Sequence, residues 1–412
     1  MSDLECWIWF SNLRRLRFRT RRALLERYGG AKELWYADPR ETGILPGLLP
    51  EERELLKQRD SAQAQQIVQS CAQKHIRILT YQDAAYPERL RNIPDPPYVL
   101  YVMGELPAVD TEPVIAVVGT RRSSPYGDAM ARRIASELAV SGGIVATGLA
   151  DGIDSRAAEG ALAAQGRVIG VLGVAIDRVY PSWNGKLYDR VCAQGALVSE
   201  YPPGAEGAKE WFPQRNRIIA GLSLGVVVVE APERSGALIT AHRALDYGRD
   251  VFAVPANADN PKGAGSNRLL REGAALVTCG WDVMEEYEAQ YPERIHHSEI
   301  TLPPPEEKEA ERSEPAQPEK QGKGFFLFRS PNRERQQAQQ QNRSILESQL
   351  EALTPQQLRI VGAMDSPSMH VDDIIDLTGL PASAVLSDLT ILQIKGFVTQ
   401  KPGKRFTLNI SK

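Results

Sequence analysis

Two stretches in the middle of the chain carry residue types that grip anions and flat rings. The first is the turn Gly119-Thr120-Arg121-Arg122-Ser123-Ser124-Pro125, which follows an apolar run and opens a helical one. Gly119 permits backbone conformations that other residues resist. Ser124 is a good N-cap with Pro125 at the first helical position. Exposed amides and the helix dipole would then seat a phosphate, with Arg121 and Arg122 at its rim. The second is Trp211-Phe212-Pro213-Gln214-Arg215-Asn216-Arg217. Aromatic faces beside guanidinium groups suit unstacked bases threaded along a basic groove. Arg215 and Arg217 lie about 200° apart on a helix, so one reaches the ligand surface while the other pairs inward, with Glu200 or Glu230. Ser235-Gly236 opens another helix and offers a second phosphate seat, and Gly148 and Lys262 lie in turns after other apolar runs. Each feature also has a plainer reading: a merely tight strand-to-helix turn, and two core aromatics.

Catalytic constellations are harder to find. His242 is the one histidine between residues 114 and 280, and a lone helical histidine is usually structural. The chain shows no Ser-His-Asp set and no H-x-x-x-H pair. The turn at Gly119 is neither G-x-G-x-x-G nor a Walker A loop. Asp151, Asp154 and Asp177 could serve as acid or base groups, but carboxylates at turns more often cap the backbone, and Asp154 is placed to cap a helix. The four cysteines (Cys6, Cys71, Cys192, Cys279) lie far apart without metal-ligand spacing, which argues against a disulfide scaffold or zinc ribbon and for a reducing compartment.

The elements that must position these residues follow from hydrophobic pattern. VIAVVG (114–119), GIVATG (143–148), RVIGVLG (167–173), GALVSEY (195–201), GVVVVEA (225–231), VFAVP (251–255) and AALVT (274–278) are apolar at consecutive positions, as parallel strands covered on both faces should be. Amphipathic stretches such as 126–142 and 155–166 separate them. This alternation predicts an α/β, Rossmann-like, doubly wound parallel sheet over residues 76–290. In such sheets ligands bind outside the carboxyl ends of the strands, where connections switch direction, so the turns named above should share one surface.

Residues 1–75 read as a small helical, SAM-like module whose arginines (Arg14, Arg15, Arg17, Arg19, Arg21, Arg22) form a solvated face or touch phosphate. Residues 291–350 are rich in Pro, Glu, Lys and Gln and read as a disordered linker. Its Phe325–Phe328 run is an incidental apolar patch or a docking motif. Residues 351–412 predict a winged helix: Thr354 caps one helix with Pro355 behind it, two more helices follow, and a hairpin closes around Pro402-Gly403. The third helix presents Ser383, Ser387, Asp388, Thr390 and Gln393, with no basic residue before Lys395, so contact with protein is as good a reading as contact with DNA.

Across 412 residues, 49 Lys+Arg face 52 Asp+Glu, a net charge of −3, which excludes binding through bulk positive charge. Across residues 114–280 the 18 basic and 16 acidic residues leave a net +2, so positive groups must gather locally. No apolar run approaches the roughly 20 residues of a membrane helix and the first residues lack a basic signal region, so a soluble, cytoplasmic protein is expected.

The blocks GTRRSSPYG, TGLADGIDSRAAEGAL, DRVYPSWN, SEYPPG, FPQRNRIIAGLS, VVVVEAPERSGALITA and VPANADNPKGAGSNRLLREGA, in this order, resemble the DNA-processing protein DprA (Smf) family. The likeness covers nearly the whole chain except the linker. It implies a Rossmann fold that binds single-stranded DNA without catalysis or cofactor, protects it and helps load a RecA-type recombinase during natural transformation, as a homodimer. Carried over, it implies a phosphate seat at Gly119, Thr120 and Arg121, and contacts from Phe212, Arg215, Asn216 and Arg217. Ser235 and Gly236 lie alongside, with Lys209 and Lys262 as further basic contributors. Two other readings stay open. One is a nucleotide-processing hydrolase on the same sheet, although the P-G-G-x-G-T-x-x-E run of the lysine-decarboxylase-like phosphoribohydrolases is absent. The other is a protein adaptor that does not bind DNA.

Overall fold

The consecutive Val and Ile runs form strands because both faces of each are covered. Val114, Ile115, Ala116 and Val117 are fully buried, as are Ile144, Val145 and Ala146. The computed structural model describes residues 1–43, 47–297, 353–364, 369–394, 397–401 and 405–408. Most of the Pro- and Gln-rich stretch, its Phe325–Phe328 run, Lys395 and the Pro402-Gly403 turn lie outside them. The chain divides into two units, Met1–Glu307 and Lys308–Lys412.

The first unit begins with helices α1 (Asp3–Asn12), α2 (Phe18–Tyr28), α3 (Ala31–Tyr36), α4 (Pro39–Gly43), α5 (Pro50–Lys57) and α6 (Ser61–Gln73). Strand β1 (Arg77–Thr80), the short α7 (Glu88–Arg91) and β2 (Val99–Gly104) lead into the alternating region. There follow β3 (Val114–Val118), α8 (Pro125–Val140), β4 (Ile144–Thr147), α9 (Ile153–Ala163), β5 (Val168–Leu172), α10 (Gly185–Gln194) and β6 (Ala196–Ser199). Next come α11 (Trp211–Leu222), β7 (Gly225–Val228), α12 (Gly236–Asp246), β8 (Asp250–Ala253), α13 (Ala264–Arg271), β9 (Ala275–Leu276) and α14 (Trp281–Met284).

The nine strands make one sheet in the order β1-β2-β6-β5-β4-β3-β7-β8-β9. Strands β3 to β9 run parallel, in register Ile115↔Val145 and Ala116↔Val226 around the central strand. The sheet is thus the expected Rossmann-like one, extended by β1 and β2, which the apolar-run pattern did not single out and which pair antiparallel. Side chains alternate between two layers. Ile115 and Val117 share a core with α8, α9, α10 and the N-terminal helices. Val114, Ala116 and Val118 pack toward α7, α11, α12 and α13. Each such valine contributes roughly 1.5–3 kcal/mol by its removal from water. The chain winds outward from β3 in both directions, so β3 and β7 flank the switch point.

The N-terminal helices are joined to the sheet by aromatic packing. Trp7 is buried and stacks on Tyr98, with ring centroids 6.3 Å apart. Of the arginines expected as a solvated or phosphate-facing cluster, Arg14, Arg15, Arg17, Arg19 and Arg22 are exposed and Arg21 is buried, and several also have partners within the protein. Arg17 is ion-paired to buried Glu52 at 2.8 Å, Arg21 is buried and donates to the Leu13 carbonyl, and Arg14 lies 4.6 Å over the Tyr201 ring. Helix breaks obey local chemistry. Ser124 accepts a hydrogen bond from the Gly127 amide, and Gly142 and Gly248 adopt positive φ just beyond helix ends.

The second unit holds helices Pro355–Ala363, Val371–Thr378 and Ala382–Ile394 with a three-stranded antiparallel sheet of Met369–His370, Val398–Lys401 and Arg405–Leu408. This is the expected winged helix. Its core is Ile360, Ile374, Val385, Leu389, Leu392 and Phe406, and Thr354 with Gln357 forms a capping box. On the third helix Asp388 accepts from the Gln357 side chain at 3.0 Å, while Leu386 and Ile391 are exposed.

Candidate nucleic-acid interface

At the carboxyl ends of β3 and β7 the turns separate into a cleft of about 780 Å³. Eleven of the thirteen residues picked from sequence line it: Gly119, Thr120, Arg121, Arg122, Lys209, Phe212, Arg215, Asn216, Ser235, Gly236 and Lys262. The wall after β3 is tight. A Cβ on Gly119 would come within 2.5 Å of the Ile153 side chain and 2.8 Å of the Glu230 carbonyl, so only glycine lets the turn pass over α9.

The first helix terminus of the cleft differs from expectation. Three amides of its turn already have partners within the protein. Ser124 N donates to the Glu230 carboxylate at 2.7 Å, Gly127 N to Ser124 Oγ at 3.0 Å, and Arg122 N to Thr120 Oγ1 at 3.2 Å. Glu230 is 2% exposed. A buried carboxylate from the end of β7 therefore occupies the position where the helix dipole would hold a phosphate. What remains for an anion is the rim. Arg121 and Arg122 are exposed, Lys209 and Arg234 face them from the other wall, and Lys262 reaches the Ser123 carbonyl at 3.3 Å. Arg234 was not among the sequence candidates, although it sits in the ERSG turn quoted for Ser235.

Arg121 lies 5.1 Å over the Phe212 ring, and Phe212 lies 5.0 Å from Tyr180. Among the described residues the Arg121 guanidinium makes no ion pair or hydrogen bond, so its N–H groups are free to meet a ligand. Tyr180 and, just beyond it, Trp183 continue the aromatic surface, 42% and 72% exposed. Trp183 is held in place by a hydrogen bond from Nε1 to Asp151 Oδ1 at 3.0 Å. Asn184 pins the same turn by donating to the Leu149 carbonyl at 3.2 Å and to Ser155 Oγ at 3.0 Å. Sequence reasoning passed over both aromatics because a tyrosine and a tryptophan in a turn carry no periodicity.

Arg215 occupies a different position from Arg121. It is 5% exposed and forms the cleft floor. Its Nη1 donates to the carbonyls of Gly148 and Val171, and its Nε to Asn216 Oδ1 at 3.2 Å. Gly148 lies beneath it, without a place in the cleft lining. Any Cβ there would collide with the guanidinium. Asp154 is also buried on the floor, accepting from the Gly148 amide at 3.1 Å rather than capping α9, whose N-cap is Gly152. Burial pushes the Asp154 carboxyl up to about 6 against the pull of Arg215, and burial likewise lowers Arg215 against the pull of Asp154.

Two sequence candidates are not brought to the cleft as side chains. Arg217 projects from the opposite face of α11 and pairs with Glu200 at 2.7 Å and Asp95 at 3.4 Å, so Glu200 is indeed its inward partner. Trp211 is buried, stacked on Tyr201 at 3.8 Å and covered by Arg14 at 4.8 Å. Of the carboxylates that could have been acids or bases, Asp177 caps Gly204 N and pairs with Lys74. His242 is exposed on α12, outside the cleft lining. Among the described residues no group of three or more His, Cys, Asp or Glu could hold a metal, and no helix is long and apolar enough to cross a membrane.

An open parallel sheet with a cation-rimmed, aromatic-lined cleft at its switch point, accompanied by a winged helix, defines a Rossmann-type protein built to hold an extended anionic ligand. Comparison with known proteins gives the class its name. Residues 77–288 match the DNA recombination-mediator protein A family and residues 346–404 match the DprA winged helix domain, and the chain belongs to that family. It is 31% identical over 409 residues to Protein Smf of Synechocystis sp., spanning 98% of both chains. It is 42% identical over 210 residues to the DNA processing protein DprA of Streptococcus pneumoniae, covering 50% of this chain and 72% of the other. The X-ray structure of DNA processing protein A from Streptococcus pneumoniae superposes with a TM-score of 0.62 at 34% identity, over 69% of this chain and 99% of that one.

Proposed function

We propose that this protein binds single-stranded DNA without regard to sequence, in the cleft between the β3 and β7 turns, and carries out no chemistry on it. The observation that carries this reading is the pair formed by Arg121 and Phe212: a guanidinium free of protein partners held 5.1 Å over an aromatic ring. A phosphate meets the guanidinium edge while an unstacked base meets the adjoining rings of Phe212 and Tyr180, an arrangement open to a single strand and closed to a duplex, whose bases are paired inside. Arg122, Lys209, Arg234 and Lys262 extend the cationic rim along the backbone, and Trp183 offers a further rigid ring. Arg215 supports the floor beneath them. Membership in the DNA recombination-mediator family supports the same reading, and the role proposed with it is to protect unpaired DNA and deliver it to a RecA-type recombinase, as a homodimer in the cytoplasm.

The test is an anisotropy titration of a fluorescent single-stranded oligonucleotide at several salt concentrations, with duplex and mononucleotide competitors. The expected result is affinity that falls as salt rises, because release of the strand's counterions then gains less entropy, weak competition by duplex, and little discrimination between base compositions. Duplex competing as well as single strand would overturn the reading. Release of free base from a nucleoside monophosphate would replace it with the hydrolase, for which Asp154 would be the acid.

A further inference from the structure

Two helices that line the cleft carry its surface onward to the N-terminal module. Pro213 of α11 and Gly236 and Ile239 of α12 belong to the cleft wall. The two helices pack together and are tied by Asn216, which donates to the Gly236 carbonyl at 3.1 Å. One turn beyond Ile239, on the same face of α12, stands Arg243, and the residue after Pro213 is Gln214. Arg243 and Gln214 line a second, smaller hollow of about 180 Å³, whose other wall is formed by Arg14, Leu16, Phe18 and Arg21. The cleft and this hollow therefore share α11 and α12 as walls.

The acidic groups of the second hollow are already committed. Asp95 and Glu200 flank Arg217 at 3.4 and 2.7 Å, and Glu200 is also a counter-charge to buried Arg21. Arg14 and Arg243 are exposed, as are Arg15 and Arg19 beside Phe18, and among the described residues the guanidinium groups of these four make no ion pair or hydrogen bond. The arrangement seen in the cleft, a guanidinium over an aromatic ring, recurs here. Arg14 lies 4.6 and 4.8 Å over the rings of Tyr201 and Trp211, and Arg19 lies 5.9 Å over Phe18. Phe18 is 47% exposed, and Ile239, on the way from the cleft to Arg243, is 41% exposed. Unpaired surface cations interleaved with exposed apolar faces suit a polyanion whose bases are free to stack.

On the reading that the cleft holds single-stranded DNA, we propose that the strand continues out of it over Ile239, along the groove between α11 and α12, and onto the N-terminal helices, where Arg243 and Arg14 meet phosphates and Phe18 stacks a base. Continuity with the cleft favours a strand over an acidic protein, for which nothing ties these residues to Arg121 and Phe212. The N-terminal module then forms part of the DNA site, and the length of strand engaged exceeds what the cleft alone holds.

Anisotropy titrations of the full chain with two oligothymidines test this, one of about 5 nucleotides for the cleft alone and one of about 20 that reaches past it. Arg243 and Phe18 are exposed, so Arg243→Ala and Phe18→Ala should unfold in denaturant like the parent. Each should weaken the long strand about 5- to 10-fold and leave the short one within about twofold. Arg243→Ala should also make the long strand's salt slope shallower by about 0.7, while Phe18→Ala leaves it intact. Arg121→Ala should weaken both oligonucleotides. Parental long-strand affinity in both seam variants, with Arg121→Ala still weakening both strands, would overturn the continuation and leave the cleft reading standing. Equal weakening of the short and long strands by Arg243→Ala would overturn it too, since that residue would then act within the cleft. Failure of the parent to bind either oligonucleotide would overturn the cleft reading and the continuation together. Binding of poly-glutamate that is lost in Arg243→Ala, beside unchanged long-strand affinity, would assign the patch to an acidic protein and overturn the proposal.

Discussion

Arg121 and Arg215 sit at the same cleft, yet the structure requires their alanine substitutions to fail in different ways. Arg121 is exposed, and among the described residues its guanidinium makes no hydrogen bond or ion pair and lies over the face of Phe212. Arg121→Ala should therefore leave folding within about 0.5 kcal/mol of the parent. It should remove one phosphate contact, weakening single-strand affinity by about 1–2 kcal/mol, roughly 5- to 30-fold. The slope of log affinity against log salt should become shallower by about 0.7, the increment for one phosphate on a single strand. Arg215 is 5% exposed and donates to the Gly148 and Val171 carbonyls with Asp154 beside it. Arg215→Ala would strand two buried acceptors and an uncompensated carboxylate, destabilising the fold by about 3–5 kcal/mol, the usual penalty for half of a buried pair. The two effects separate when denaturant unfolding is run beside anisotropy titrations at several potassium chloride concentrations. An Arg121→Ala protein with unchanged affinity and slope would refute the phosphate role. An Arg215→Ala protein of parental stability that has merely lost affinity would refute the division of labour between rim and floor.

Trp183→Ala removes an exposed ring that donates to Asp151, so unfolding should not change while affinity for oligothymidine falls by about 1–3 kcal/mol with the salt slope intact. An altered slope with unaltered affinity would contradict base stacking there. The Asp154 carboxyl has a folded value of about 6 against an ordinary 3.8, so the folded state holds the proton more tightly. Its contribution to stability then grows as pH falls from about 6 toward about 4, by up to about 3 kcal/mol. Protonation also removes a negative charge from the cleft floor, so single-strand affinity should be higher at pH 5.5 than at pH 7.5. Asp154→Asn should flatten both dependences, measured by denaturation and anisotropy across that range. Glu52 is held at about 2 by Arg17, with the Leu49 amide and Thr20 hydroxyl helping against burial, below an ordinary 4.5. The stabilisation it provides is present above about pH 4.5 and is lost as pH falls toward 2. Glu52→Gln should lower stability by about 2 kcal/mol at pH 7, discounted for the half-exposed Arg17, and converge with the parent near pH 2.

Much of the fold was legible because it follows from patterns local in the chain. Consecutive valines can be satisfied only by a strand covered on both faces, and the runs at 114–119 and 225–231 became β3 and β7. Ser124-Pro125 and Thr354-Pro355 announced helix starts through chemistry contained within four residues. The alternation of such runs with helical stretches implied a switch point, and the turns after β3 and β7 do converge on one cleft. Strands β1 and β2 escaped for different reasons: RILT is four residues long at the sheet edge, and VLYVMG, six residues long, follows a proline-rich turn and stands ahead of the strand–helix alternation.

Tertiary packing decided which way each candidate side chain faces and what it meets. Helical period placed Arg215 and Arg217 on opposite faces, but only the position of α11 between the cleft and α2 made one the floor and the other the partner of Glu200 and Asp95. The α8 terminus looked like an open phosphate seat because its occupant, Glu230, comes from more than a hundred residues later. Trp211 and Phe212 are neighbours in the chain, yet one is sealed against Tyr201 at the seam with the N-terminal helices and the other lies in the cleft beneath Arg121. Local sequence fixes backbone conformation through dihedral preference and hydrophobic period. Charge partners and exposure depend on groups that meet only when distant elements pack, and that is why the elements could be read from the chain while the division of its arginines into hands and struts could not.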